Sequence, residues 1–222
     1  MEDYLVKTID YRDQVIKVYV DPEPESPREW DNLGTMVCFH KRYDLGDRTD
    51  LESDSFRSWG ELESYLYREK DAVVVLPLYL YDHSGLRIKV GSFQGLLPQG
   101  HAEFDSGQVG FIYASKSNFQ VNCGWKHFTA KRREKIAARL QQEVSTYDDY
   151  LSGNVYGYIA ETPDGDHIDS CWGFIGDTEY MIEQAESSVD HYIESERKAH
   201  CDRLKQQIRA HAPLQYRQPL SI

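Results

Sequence analysis

Val15 to Val20 is a run of β-branched and aromatic residues broken by one lysine, and it is expected to form a strand. Leu5 to Ile9 stands at hairpin distance from it, with the turn at Asp10 to Asp13. Asp21 to Pro27 holds three prolines, which remove backbone donors and fix φ, so the sheet stops there in an acidic loop or linker. Further short apolar runs predict strands at Thr35–His40, Ala72–Tyr81, Arg87–Val90, Gln108–Ala114, Val155–Ala160 and Ile168–Phe174. Pro77 lies inside one of them and predicts an edge position or a bulge. Pro163 to Gly165 predicts a hairpin between the last two.

Helical spacing appears in three places. Ser58 and Glu61 have capping-box spacing and open a short helix with Leu62, Tyr65 and Leu66 inward. Thr129 caps a second helix to about Tyr147, with Ile136, Leu140, Val144 and Tyr147 on one face. The third runs from about 177 to 210 and is stopped by Pro213, leaving a loose tail at 213–222. Tyr43–Ser55 and Gly91–Gly107 read as loops. The expected class is α+β: a mainly antiparallel sheet packed by two or three helices, in one domain over 1–222 with an N-terminal hairpin and proline-rich loop at 1–27.

The 222 residues suffice for a real core without disulfides or structural metals. The formal charge of −12 argues against general nucleic-acid binding, which needs cations to displace counterions. Four scattered cysteines with no CxxC pair, and no positive n-region after Met1, suggest reduced thiols and a cytoplasmic setting. The most apolar stretch, Ala72–Tyr81, is too short to span a bilayer, so no membrane partner is expected. Neither a cofactor nor a metal is expected, because no dinucleotide, P-loop, HxH or HExxH pattern occurs.

Glu179, Glu183, Glu186, Asp190 and Glu194 recur three and four residues apart, which places them on one narrow helix face beside Ile182, Ala185, Val189 and Ile193. Like charges at that spacing cost about 0.2–0.5 kcal/mol per pair. Such a row can imitate a nucleic-acid backbone; it also suits a solvated face, with acids early and Lys198, Arg203, Lys205 and Arg209 late, as the macrodipole prefers. Lys126, Lys131, Arg132, Arg133, Lys135 and Arg139 form a basic segment, either an anion site or a face pairing with acids elsewhere. His40, Asp82, His83 and Asp105 fall at three predicted strand ends and are the candidate catalytic groups of a hydrolase-type site; in turns, the same groups serve to satisfy backbone amides. Cys171, between aromatics in a predicted strand, is expected to be buried and inert.

Four stretches in order, Thr35 to Asp47, Leu76 to Gly85, Asp105 to Tyr113 and Asp169 to Gly176, resemble a family of phage and mobile-element proteins of uncharacterised function. Phe104 stands where those relatives often carry Trp. The resemblance implies a small accessory protein inside an infected bacterium, and brings no catalytic residues with it. The functional expectation is therefore an acidic accessory protein that binds a host protein through the carboxylate row, as an anti-defence decoy on a nucleic-acid-binding factor. The alternatives are the hydrolase and a structural phage protein.

Overall fold

A computed structural model describes residues 4–83, 85–96, 104–125 and 127–211, with the side chains of 121–123 outside the description. The tail at 213–222 and Lys126 therefore lie outside the described residues. The fold is α+β, built from two antiparallel four-stranded sheets and helices that include a long C-terminal one. The chain divides into two compact units, Met1–Pro22 with Tyr156–Ile222, and Glu23–Val155. The first division falls inside the proline-rich segment.

The first unit is a sheet of order β1-β2-β7-β8, from β1 (Leu5–Tyr11), β2 (Gln14–Val20), β7 (Val155–Glu161) and β8 (His167–Ile175). The N-terminal hairpin thus pairs with strands that follow it by more than a hundred residues. Its turn is Arg12-Asp13, both at positive φ, the tight turn whose twist matches the flanking strands. The second hairpin closes as Thr162 N donates to Asp166 O at 2.8 Å, with Gly165 at φ 89°. Strand periodicity puts Ile16, Val18, Tyr158 and Ala160 on one face, where Met181, Ala185 and Val189 of the last helix bury them.

The second unit has the order β3-β6-β4-β5, from β3 (Thr35–Cys38), β4 (Ala72–Asp82), β5 (Leu86–Val90) and β6 (Ser106–Ser115). Both faces are covered. Helix α3 (Ala130–Leu151) packs Ile136, Leu140, Val144 and Tyr147 against Met36, Val74, Leu78 and Ile112. On the other face α1 (Trp59–Arg68) packs Leu62 and Leu66 against Val37, Val75, Phe111 and Tyr113. Burial on both sides explains why β4 and β6 read as continuous apolar runs rather than alternating ones.

Two helix starts follow their caps: Ser58 Oγ accepts from Glu61 N, and Thr129 Oγ1 from Arg132 N. A further helix, α2 (Lys116–Cys123), forms where the sequence reading placed none. Ser115 caps it, Gly124 ends it at φ 64°, and Phe119 is buried. Its apolar residues Phe119 and Val121 stand two apart in sequence, which is not a helical period.

Pro77 corrects the edge expectation, because β4 lies between β6 and β5. Its carbonyl accepts from Gly91 N at 2.9 Å, so its nitrogen also faces the β5 side, just past Val90 where β5 has ended. No ladder donor is lost, and a register shift follows at Leu78/Tyr79.

The segment after the prolines is pinned rather than loose. Arg28, with 4% of its side chain exposed, binds Asp47 through two nitrogens, and its Nη2 donates to Gly34 O at 2.7 Å. Glu143 of α3 accepts from Leu33 N at 3.0 Å and Gly34 N at 3.1 Å, and lies 3.5 Å from Arg28. Burial alone would lower the Arg28 pKa, but Asp47 and Glu143 outweigh it and the net shift is upward. A Cβ added at Gly34 would lie 2.4 Å from Leu140 Cδ2, so any larger residue there must displace the buried Leu140 side chain.

Candidate functional site

Because β6 lies between β3 and β4, the end of β3, the end of β4 and the start of β6 come to one edge of the second unit. Phe39 N donates to Val109 O at 2.7 Å and Asp82 N to Asp105 O at 2.9 Å, which sets the three ends in register. His40, Arg42, Asp82, Asp105 and Ser106 line one cleft of about 380 Å³ there. His83 adjoins it, with Nδ1 3.1 Å from Asp105 Oδ2. A carboxylate on Nδ1 orients a histidine ring, the base-and-orienter half of a hydrolytic site.

The other two groups are differently engaged. Asp82 is paired with Arg42, and accepts from the Tyr43 hydroxyl at 3.4 Å. His40 stacks on Tyr43 with centroids 5.0 Å apart, and its Nδ1 accepts from Arg42 N at 3.3 Å. Among the described residues no three His, Cys, Asp or Glu side chains stand close enough to hold a metal ion.

Phe39 and His40 also border a larger cleft of about 700 Å³, the size of a small-molecule site. Its walls are near-parallel rings: Phe39 lies 6.4 Å from Phe56 and 6.3 Å from Trp59, at interplanar angles of 22° and 15°. Lys41, Asp44 and Arg57 stand at its rim. Cys38 is at its base, where burial pushes the thiol up to about 12, Asp47 adds to the rise, and Arg28 pulls against it. The sequence reading missed this cleft. Its signal was Phe56 and Trp59, two large aromatics flanking a helix cap after a polar stretch.

In the first unit the acidic row lies on α4 (Glu179–His211), about 50 Å long at 1.5 Å per residue. Met181, Ala185 and Val189 anchor its inner face, while Glu179, Glu183 and Glu194 are exposed and Glu186 is half-buried. Asp190 stands apart from the row. It faces the hairpin, 3.2 Å from Arg12 Nε, and accepts from the Tyr11 hydroxyl at 3.4 Å. Among the described residues no cation pairs with the other four.

The basic segment does not converge on one point. Arg132 lies over Trp125 at 4.8 Å and donates to His127 O at 2.6 Å, Arg133 binds Val73 O, and Arg139 pairs with Glu143 at 3.8 Å. Cys171 corrects the expectation of burial: it is exposed, on β8, an edge strand of its sheet. No helix among the described residues is long and apolar enough to cross a membrane.

Compared with known proteins, the chain matches no family model, no curated protein and no solved structure.

Proposed function

We propose that the protein is an acidic accessory protein of a phage or mobile element, acting in the bacterial cytoplasm by binding a host protein through α4. The partner is a factor that otherwise holds nucleic acid, and the interaction occupies its cationic groove. The observation that carries this reading is the unneutralised set Glu179, Glu183, Glu186 and Glu194, on a helix held by the apolar face beside it. Glu179, Glu183 and Glu186 follow one another at about 4.5–6 Å of rise, and Glu194 lies about 12 Å further on, past the Asp190 that Arg12 neutralises. The repulsion within the set costs about 0.2–0.5 kcal/mol per neighbouring pair, which a helix anchored by Met181, Ala185 and Val189 tolerates. A groove built for phosphates would meet those carboxylates with complementary potential, and the association would weaken steeply with salt.

The test is an affinity capture from host lysate at low and high salt, comparing the native chain with the triple variant Glu179→Lys, Glu183→Lys, Glu194→Lys. All three positions are exposed, so the fold should survive, as circular dichroism would verify. Salt-sensitive capture of a nucleic-acid-binding protein, lost in the variant, supports the reading. Capture that persists unchanged at low salt after charge reversal overturns it.

A second reading, a hydrolase-type enzyme, is favoured by one observation: the 3.1 Å pair of His83 and Asp105 at the cleft that His40 and Asp82 also line. It predicts turnover of a small ester or phosphoester that Asp105→Asn and His83→Ala both abolish. Turnover unaffected by either substitution removes it.

A further inference from the structure

The 700 Å³ cleft shares Phe39 and His40 with the smaller one, and the composition of its walls selects a ligand. Phe39, Phe56 and Trp59 offer flat, nearly parallel faces, and all three are half-buried rather than sealed into the core. Flat rings held by neighbours recognise another planar ring by offset stacking. The rings are fixed from behind: Trp59 meets Phe111 edge-on at 6.2 Å, and Phe56 meets Tyr65 edge-on at 5.3 Å.

The rim supplies the rest. Lys41 and Arg57 line the cleft, are exposed, and have no acidic partner among the described residues. Ser58, the N-cap of α1, lines the same cleft, and Glu61 in the first turn of that helix accepts from Arg57 N at 2.8 Å, which leaves the Arg57 guanidinium itself unpaired among the described residues. Asp44, also at the rim and without an ion pair among the described residues, is an acceptor suited to hydroxyls or an exocyclic amine.

We propose that this cleft binds a nucleoside monophosphate: the base stacks on the Phe39, Phe56 and Trp59 wall, the phosphate meets Lys41 and Arg57, and Asp44 accepts from the sugar or base. The site does not depend on the α4 reading or on the His83–Asp105 pair.

The experiment is calorimetric titration of the full-length protein with AMP, GMP, CMP and UMP, alongside adenosine and ribose 5-phosphate. At least one nucleotide should bind, with its nucleoside and its sugar phosphate each about tenfold weaker or more, since each lacks one of the two recognised groups. In the double variant Lys41→Ala, Arg57→Ala, both surface changes, the nucleotide should weaken about tenfold while the nucleoside is unchanged. Trp59→Phe, which keeps a ring, should retain binding better than Trp59→Ala. No heat with any nucleotide at millimolar concentration overturns the proposal. So does nucleotide binding that is indifferent to the loss of both cations, which would place the ligand elsewhere. The charge-reversed α4 variant should bind nucleotide normally, so failure here and failure of the partner reading are separately visible.

Discussion

Arg28 grips both carboxylate oxygens of Asp47, Nε on Oδ1 and Nη2 on Oδ2, each at 2.8 Å. Nineteen residues separate them in sequence, and the fork closes the loop after the proline-rich segment against the residue that follows β3's turn. Met36 N donates to the same carboxylate at 2.8 Å, so Asp47 serves both a buried cation and a strand amide. Replacing Asp47 with Ala leaves Arg28 in a nearly closed site with only Glu143, 3.5 Å away, as a counter-charge. The expected loss is about 3–5 kcal/mol, because an uncompensated buried charge remains. The exposed end of a comparable pair, Arg42 with Asp82, should cost about 1 kcal/mol or less when broken by Arg42→Ala. Urea unfolding midpoints of the two variants separate these outcomes, and equal small losses would mean that the Arg28 network is not what holds the loop.

Gly157 of β7 sits opposite Tyr19 and under Trp172, whose ring a Cβ on Gly157 would approach to 2.3 Å. Gly157→Ala should therefore displace the indole and destabilise the first unit by about 1–3 kcal/mol, as overpacking does. Trp172 is already 38% exposed, so its fluorescence should shift to longer wavelength in the variant. The double variant with Trp172→Ala removes the atoms that clash, and its loss should be smaller than the two single losses added. Strict additivity would show that the close approach carries no energy.

Local rules made much of this fold legible. Ser58 and Thr129 announce their helices because an N-cap acts within three residues of itself. β4 and β6 are legible as apolar runs because both of their faces are covered. Strand order is another matter: β2 pairs with β7 through contacts such as Ile16 with Ala160, which no local pattern encodes. The same holds for the strand ends. His40, Asp82 and Asp105 are visible as ends in the sequence, yet only the position of β6 between β3 and β4 makes them line one cleft. Glu143 was invisible for the opposite reason, since a lone glutamate on an amphipathic helix reads as solvated until Arg28 and two loop amides are known to face it.

Three side chains tie β7, β8 and α4 together, and two of them titrate at opposite ends of the pH scale. Tyr158 donates to Asp169 at 2.7 Å and lies 3.3 Å from Ser188 Oγ. Burial pushes the Tyr158 phenol up to about 12, with Ser188 pulling it back and Asp169 adding to the rise. Burial works to raise Asp169, but hydrogen bonds from Ser188, Tyr158 and the Ser170 amide overcome it and hold the carboxyl below its usual range. A raised phenol stabilises the fold fully below the unfolded value near 10, and that contribution is lost as pH climbs from about 10 through about 12. A depressed carboxyl contributes above its unfolded value near 4 and loses that contribution as pH falls through its lower folded value. Tyr158→Phe should remove the alkaline component and shrink the acidic one. Thermal midpoints measured from pH 3 to pH 12 would show it, and parallel curves for native and variant would refute the linkage.

The thiols should separate by reactivity. Cys171 on the edge strand and Cys201 on α4 are exposed, while Cys38 lies at the base of the aromatic cleft with its pKa pushed up to about 12 by burial, reinforced by Asp47 and opposed by Arg28. The thiolate is the reactive form, so at pH 8 Cys38 holds almost none. In a Cys123→Ser background, a disulfide reagent should label Cys171 and Cys201 at least about a hundredfold faster than Cys38. Denaturant should make all three react alike. Asp47→Asn removes the carboxylate that raises Cys38 while leaving Arg28 beside it, so Cys38 should then react faster in the folded protein. If Cys38 keeps pace with the exposed thiols in the native chain, solvent reaches the base of the cleft and the sulfur is not shielded there.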